Sequence, residues 1–530
     1  MDLAIKIIFL VVFFAVMIGI GLYTRKKANS VEGFVLGGRN AGPWLTAFGY
    51  GTSYFSAVVF IGYAGQFGWK YGVASTWIGI GNAVIGSLLA WIVLGRRTRV
   101  MTKHLSSKTM PDFFGKRFDS KALRIAAALI SFIFLIPYTS SVYNGLSRLF
   151  NMAFNIDYKI CIIVMAALTC VYVILGGYMA TVVNDLVQGI IMLFGITAVI
   201  VTVLNNNGGF LGALATLSNT PVDPAVDTYV PAAMTGAQGV FASFFGPDPL
   251  NLLGVIILTS LGTWGLPQMV GKFYAIKDEK SVKAGTVIST IFAFIVAGGC
   301  YFLGGFARLY SNNPAIYKED GSVLYDSIIP TMLDNLPTIL VGVVIVLVLS
   351  ASMSTLSSLV LTSSSTVTLD LIEQIKPKQN EDKKKREKTQ LVTMRLLLVF
   401  FIAVSVLLSL NPPTFIAQLM GYSWGALAGA FLAPFLWGLY WKKTTKISVW
   451  VCFIFGVGFT VANMFFKFIA SPINAGAVTM VAGLIIVPLV SLITPKLSKE
   501  KVDGIFSCYD ETVTVEKRYS LPEEAPADEN

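Results

Sequence analysis

Apolar runs of about 20 residues, separated by short polar or charged stretches, recur along almost the whole chain, and a helix of that length crosses the hydrocarbon core of a bilayer. The first run, Leu3 to Thr24, has no basic region before it and no small-residue cleavage site. It is followed by Arg25, Lys26 and Lys27, and so reads as a retained span rather than a signal peptide. Further spans are expected near 41–67, 73–95, 122–152, 158–178, 181–204, 239–270 and 283–309, then near 336–373, 392–411, 413–441, 446–468 and 475–493. The pattern predicts an all-α integral membrane protein of about 13 transmembrane helices. Residues 1–495 form one transmembrane domain on this reading, and 496–530, ending EEAPADEN, have the composition of a disordered tail.

Basic residues alternate between the loops in step with these spans. One side receives Arg25 to Lys27, Arg96 to Arg99 with Lys103, Lys108, Lys116 and Arg117, then Lys272 to Lys283, Lys376 to Lys388, Lys442, Lys443, Lys446 and the tail. The other receives 205–240, which has no Lys or Arg, and 310–336, which has only Lys318. The positive-inside rule then places the amino terminus outside and the carboxyl terminus in the cytoplasm of a cell-membrane protein. The mixed-sign segment 376–390 reads as a solvated loop, and Asp370 and Glu373 fall where the ninth span is expected to end at the interface.

Composition narrows the function. The chain is 55% hydrophobic and 13% charged, against roughly 25% charge in soluble domains. Its net charge of +11 is therefore a loop bias facing a lipid bilayer rather than a nucleic-acid surface. Five scattered cysteines and a single histidine, His104, provide neither a disulfide framework nor a two-histidine metal or catalytic motif. With few intramembrane charges to act as acids, bases or nucleophiles, an enzyme is not expected.

Two spans are interrupted near their middles: the second by Gly49, Gly51, Thr52, Ser53, Tyr54 and Ser56, the seventh by Gly262, Gly265 and Pro267. Broken helices free carbonyls and helix ends for ions and solutes at the midplane, although small residues also serve simply to pack helices. The two breaks lie five spans apart, as in a five-plus-five inverted repeat with units at about 41–204 and 239–441. In the ninth span Ala351, Ser354, Thr355 and Ser358 form one helical stripe, with Ser357 beside it. Such a stripe can supply oxygens to a hard cation or hold helices together. Asp185, beside Asn184 and ahead of Gln188, is either a functional intramembrane acid or a helix-start residue at the interface.

The segments FVLGGRNAGPW (34–44), GGYMATVVNDLVQG (176–189), WGLPQMVGKF (264–273), SMSTLSS (352–358) and GLYWKKTT (438–445) together resemble the sodium:solute symporter family, with proline and pantothenate symporters nearest in appearance. The resemblance implies a LeuT-like inverted-repeat core and sodium-driven uptake of a small organic solute by alternating access. It assigns a principal sodium site to the carbonyls of Thr52, Phe55 and Ala351 and the hydroxyls of Ser354 and Thr355. A second-sodium pattern, like that of sialic acid symporters, falls on Asp185, Ser354, Ser357 and Ser358. Substrate positions map to Ser53, Tyr54, Ser56, Tyr138, Trp264, Pro267 and Gln268. Tyr54 stands where proline symporters carry Asp and pantothenate symporters carry Tyr. The fourth span, IPYTSSVYNG, lacks the arginine that pairs with the sialic acid carboxylate. The expected solute is carboxylate-bearing, of the pantothenate, proline, monocarboxylate or sialic acid class. A neutral sugar, or a transporter-like sensor, is the alternative.

Overall fold

The computed structural model describes residues 2–154, 156–334, 336–375 and 382–510. Among these residues it is helical with no β-strand, only isolated bridges pairing Ala41 with Ile276 and Tyr317 with Val323. Ten helices are long and apolar enough to cross a membrane, and the bent pair Pro249–Gly265 and Pro267–Ala275 makes an eleventh. The expectation of about 13 differs at two glycines. Gly72 (φ 58°, ψ −141°) kinks the continuous run Val58–His104, and Gly177 (φ 54°, ψ −152°) interrupts Tyr158–Asn206. Both take a backbone conformation that side-chain-bearing residues avoid, so each marks a corner between two shorter apolar segments.

Proline and short polar side chains start these helices. Pro43, Pro249, Pro267 and Pro472 occupy first-turn positions, where the missing N–H costs nothing. The side chains of Asp248, Thr445 and Ser471 accept hydrogen bonds from the first-turn amides that follow them. Two helices lie deepest, Thr338–Thr366, extended by a π-helical turn at Val367–Ile372, and Ile416–Tyr440. The outer helices Asp2–Thr24, Lys446–Phe466 and Pro472–Ile493 expose apolar side chains such as Val11, Ile454 and Leu489, as a lipid-facing surface does.

Two expectations change at the polar ends. Residues 383–390 are not a loop: they open the helix Lys383–Leu410, and Arg386 reaches back to Glu373 at 3.1 Å. The tail is ordered as far as Asp510. Lys499–Phe506 forms a helix whose Val502 and Phe506 are buried, while His104 Nε2 lies 2.9 Å from the Gly504 carbonyl and Lys442 pairs with Asp503 at 2.8 Å. Residues 511–530 lie outside the described residues. Asp370 lies near the end of its span, which runs to Ile375, but is not exposed there. It is fully buried in the π-helical turn, bound by Arg124 at 2.7 Å and by the Thr109 hydroxyl.

Candidate functional site

The helix Pro43–Tyr54 stops because the chain turns extended at Phe55 (φ −87°, ψ 120°), and helix resumes after Ser56. The Ser56 hydroxyl accepts the Val58 amide at 3.2 Å, capping the second half. The other broken span repeats this geometry at Leu266 (φ −83°, ψ 123°), with a 46° bend. A helix that ends inside the protein leaves its last carbonyls without intrahelical partners, and here those carbonyls face Thr338–Thr366. The Thr355 hydroxyl lies 3.1 Å from the carbonyl of Ala351, 3.3 Å from that of Phe55 and 3.4 Å from those of Thr52 and Ser53. One hydroxyl proton satisfies one of these four acceptors. The Ser354 hydroxyl donates to Thr52 Oγ1 at 2.8 Å, and Thr52 Oγ1 donates to the Phe48 carbonyl at 2.7 Å. Thr52, Phe55, Ala351, Ser354 and Thr355 therefore meet in one buried, oxygen-rich, uncharged spot, a donor set suited to a hard monovalent cation. Among the described residues no group of three or more His, Cys, Asp or Glu side chains is placed to hold a metal ion.

A second polar cluster lies beside the first. Asp185 is fully buried, within the helix that follows the Gly177 corner, and its Oδ2 is 3.2 Å from Lys272 Nζ. Lys272, placed in a loop by its charge alone, sits on Pro267–Ala275 and is 2% exposed. Its Nζ is also 3.2 Å from Ser358 Oγ and 5.5 Å from the centre of the Tyr178 ring. Ser358 Oγ is in turn 2.9 Å from Ser53 Oγ. A β-carbon at Gly49 would stand 3.2 Å from Asp185 Oδ2 and 3.4 Å from Lys272 Nζ, so the small residue there gives the pair its room. Ser357 turns away and donates to the Ser354 carbonyl of its own helix at 2.9 Å. A small cavity of about 50 Å³ lined by Lys272, Ser358, Pro267, Gln268, Tyr178 and Thr109 opens beside this cluster.

The substrate positions separate into groups. Tyr54 and Tyr138 come together across Trp424, whose ring centroid is 6.0 Å from that of Tyr54 and 5.8 Å from that of Tyr138. The hydroxyls of both tyrosines, the Trp424 Nε1 and the Tyr63 and Tyr301 hydroxyls are buried and make no well-aligned hydrogen bond, although Tyr138 has the Trp424 indole beside it and Tyr54 has Tyr301 and Thr259. Buried polar atoms are ordinarily paired, so this poorly bonded set favours a polar guest. Gly262 admits the Trp424 ring, since a β-carbon there would lie 2.4 Å from it. Ser53, Pro267 and Gln268 belong instead with the Lys272 cluster, Ser56 is a helix cap, and Trp264 donates to the Ile85 carbonyl at 3.0 Å.

Residues 34–456 match the model of the sodium:solute symporter family. The chain belongs to that family. Over 507 residues it is 29% identical to the osmoregulated proline transporter OpuE of Bacillus subtilis (strain 168), covering 95% of this chain and 97% of the relative. It is 28% identical over 504 residues to a sodium/proline symporter of Staphylococcus aureus (strain NCTC 8325 / PS 47), 93% of each chain. Among solved structures, a Na+-coupled sialic acid symporter in a substrate-bound, outward-open state superposes with a TM-score of 0.75 at 16% identity, over 93% of this chain and 99% of that one. The protein is thus a multi-pass membrane symporter with a LeuT-type helical fold, coupling sodium to a small solute.

For a symporter of this family, two residues in the polar interior escape a reading of spacing alone. Trp424 is one of several aromatics in an apolar run, and only the fold brings it between Tyr54 and Tyr138. Lys272 does leave a trace in the sequence. It follows Gln268 by four positions on a short helix restarted by Pro267, which puts both on one face, and both line the same cavity.

Proposed function

We propose that the protein imports a small carboxylate-bearing solute, proline or a molecule of similar size foremost, together with sodium bound by Thr52, Phe55, Ala351, Ser354 and Thr355. The convergence of three carbonyls and two hydroxyls across the break at Phe55 carries this reading. Three of those five residues are Ala351, Ser354 and Thr355 on one helix, and the other two flank the break in another. A cation there ties the two helices together, orders the broken segment and completes the adjoining aromatic group of Tyr54, Tyr138 and Trp424. Ion and solute binding are coupled because each pays part of the ordering cost of the other. The hydroxyls and indole N–H of this group give hydrogen-bond donors for a carboxylate, and the three rings give apolar walls for its hydrocarbon body. With no arginine or lysine in this aromatic group, the nearby sodium supplies the compensating positive charge.

The two broken spans, alike in backbone at Phe55 and Leu266, are the axes of a five-plus-five inverted repeat, and alternating access is a rocking of one set of helices against the other. The basic face is cytoplasmic on this reading. Each sodium that enters down the membrane potential then supplies about 2.3 kcal/mol per 100 mV, more than the roughly 1.4 kcal/mol of a tenfold solute gradient.

The test is current from proteoliposomes on a solid-supported membrane, challenged with proline, pantothenate, short monocarboxylates, sialic acid and neutral sugars, in sodium or choline. A sodium-dependent current for a carboxylate, with half-saturation raised at least about tenfold by Tyr54→Phe or Trp424→Ala, is the expected result. A current evoked only by sugars overturns the solute class, and carboxylate currents that persist in choline overturn sodium coupling.

A further inference from the structure

The second polar cluster already holds a cation that belongs to the protein. Lys272 Nζ lies 3.2 Å from Asp185 Oδ2 and 3.2 Å from Ser358 Oγ, with the face of Tyr178 at 5.5 Å. Carboxylate, hydroxyl and π face together form a shell for a positive charge. Asp185 and Ser358 are also two of the four residues on which a second-sodium pattern falls. Ser357, a third, donates its hydroxyl proton to the Ser354 carbonyl at 2.9 Å, and the Ser354 hydroxyl donates to Thr52 while lying against Asp185. A sodium ion at Asp185 would share one carboxylate with an ammonium in a buried, poorly screened site, where two cations repel strongly. The side chain and the ion are alternatives.

We propose that the Lys272 ammonium is a tethered replacement for the second sodium ion, so that each cycle carries a single sodium at the Thr355 site. This rests on the sodium-site reading above. Because the lysine is anchored to Pro267–Ala275, it neutralises Asp185 in every state without crossing the membrane, and it links that broken span to the helices of Asp185 and Ser358 in the way a bound ion would.

The experiment is binding of radiolabelled sodium to the purified full chain at saturating concentration, which requires no knowledge of the solute. The wild type is expected to bind one ion per chain. Lys272→Ala, which empties the position and leaves Asp185 free, is expected to bind two. Lys272→Arg keeps the charge and stays at one, and Lys272→Ala combined with Asp185→Asn returns to one. Two ions on the wild type, or a single ion on a folded, monodisperse Lys272→Ala, overturns the proposal. Should Lys272→Ala fail to fold, Lys272→Gln, which preserves a hydrogen bond to Asp185 without the charge, is read in its place. No binding by the wild type refutes instead the sodium site on which the proposal rests, and so separates the two failures.

Discussion

At the scale of single residues, Thr355 and Ser354 carry the sharpest expectation. The Thr355 hydroxyl has four carbonyls within 3.4 Å, more acceptors than one proton can serve, and a cation there would use the same oxygens. Thr355→Ala and Ser354→Ala are expected to raise the sodium concentration for half-maximal uptake by about tenfold or more, equivalent to roughly 1.4 kcal/mol or more of lost ion binding. Thr355→Ser, which retains the oxygen, is expected to stay within about threefold of wild type. Sodium-activation curves on equal amounts of inserted protein check this, and an unchanged requirement in both alanine variants removes the ion-site assignment. These hydroxyls were legible because residues 351–358 carried a polar stripe on one helix face where lipid-facing positions would be apolar. Lys272 was not, since a basic residue after an apolar run looks like a loop until the fold sets Asp185 opposite it. The burial of Asp370 was hidden for the same reason: its partners Thr109 and Arg124 are about 250 positions away in sequence, and no local pattern announces such a pairing.

At the scale of elements, the breaks were legible from Gly and Pro, but the close contacts that hold the pieces were not. Gly68 and Gly304 meet backbone to backbone: a β-carbon at Gly68 would lie 1.9 Å from the Gly304 carbonyl oxygen, and one at Gly304 2.2 Å from that of Ala64. Backbone cannot swing aside as a side-chain tip can, so Gly68→Ala is expected to cost about 1–3 kcal/mol or more by overpacking. A lower thermal unfolding midpoint in detergent, with reduced yield of monodisperse protein, is the readout. Gly458→Ala is the control. That position is exposed on Lys446–Phe466 with nothing within 4 Å of the new carbon, and alanine is expected there to be neutral or mildly stabilising. Equal losses in both variants would show that the contact at Gly304 is not tight. Ser56→Ala, which strips the cap from the resumed helix, is expected to cost about 0.5–2 kcal/mol and to weaken ion and solute binding together. Element ends were the least legible part. Residues 383–390 looked like a solvated charge run, yet Arg386 closes on Glu373 at 3.1 Å. The polar segment from Lys496 looked like tail, yet Val502 and Phe506 find cover that only the folded basic face provides.

At the scale of the whole molecule, the direction of transport depends on which face looks outward, and the two faces differ in charge and in construction. One carries Arg96–His104, Met110–Arg117 and the docked helix Lys499–Phe506, tied together by Lys442 to Asp503 and by Arg97 set against Tyr440 and Tyr509. The other carries the long connection after Gly209–Ser218, which is fastened by one buried ion pair. Arg308 binds Asp227 with both terminal nitrogens and the Trp69 carbonyl with Nε at 2.9 Å, between the rings of Trp69 and Phe241. Basic loops are retained in the cytoplasm, so the face with Arg308 is expected to be external, where sodium and solute arrive. A membrane-impermeant maleimide decides between the two orientations. Four of the five native cysteines are buried and Cys170 is half-buried, so their background reaction is expected to be low. Thr235→Cys, exposed in the connection free of Lys and Arg, is expected to react in intact cells, whereas Lys103→Cys, exposed on the basic face, is expected to react only after the membrane is permeabilised. The opposite pattern would invert the protein, and then a cytoplasm-negative potential would drive sodium toward the Thr355 site from the basic face, through the cavity beside Lys272. With the expected pattern, sodium enters from the Arg308 face and Lys272 stands between its site and the cytoplasm, a fixed positive charge that the departing ion must pass.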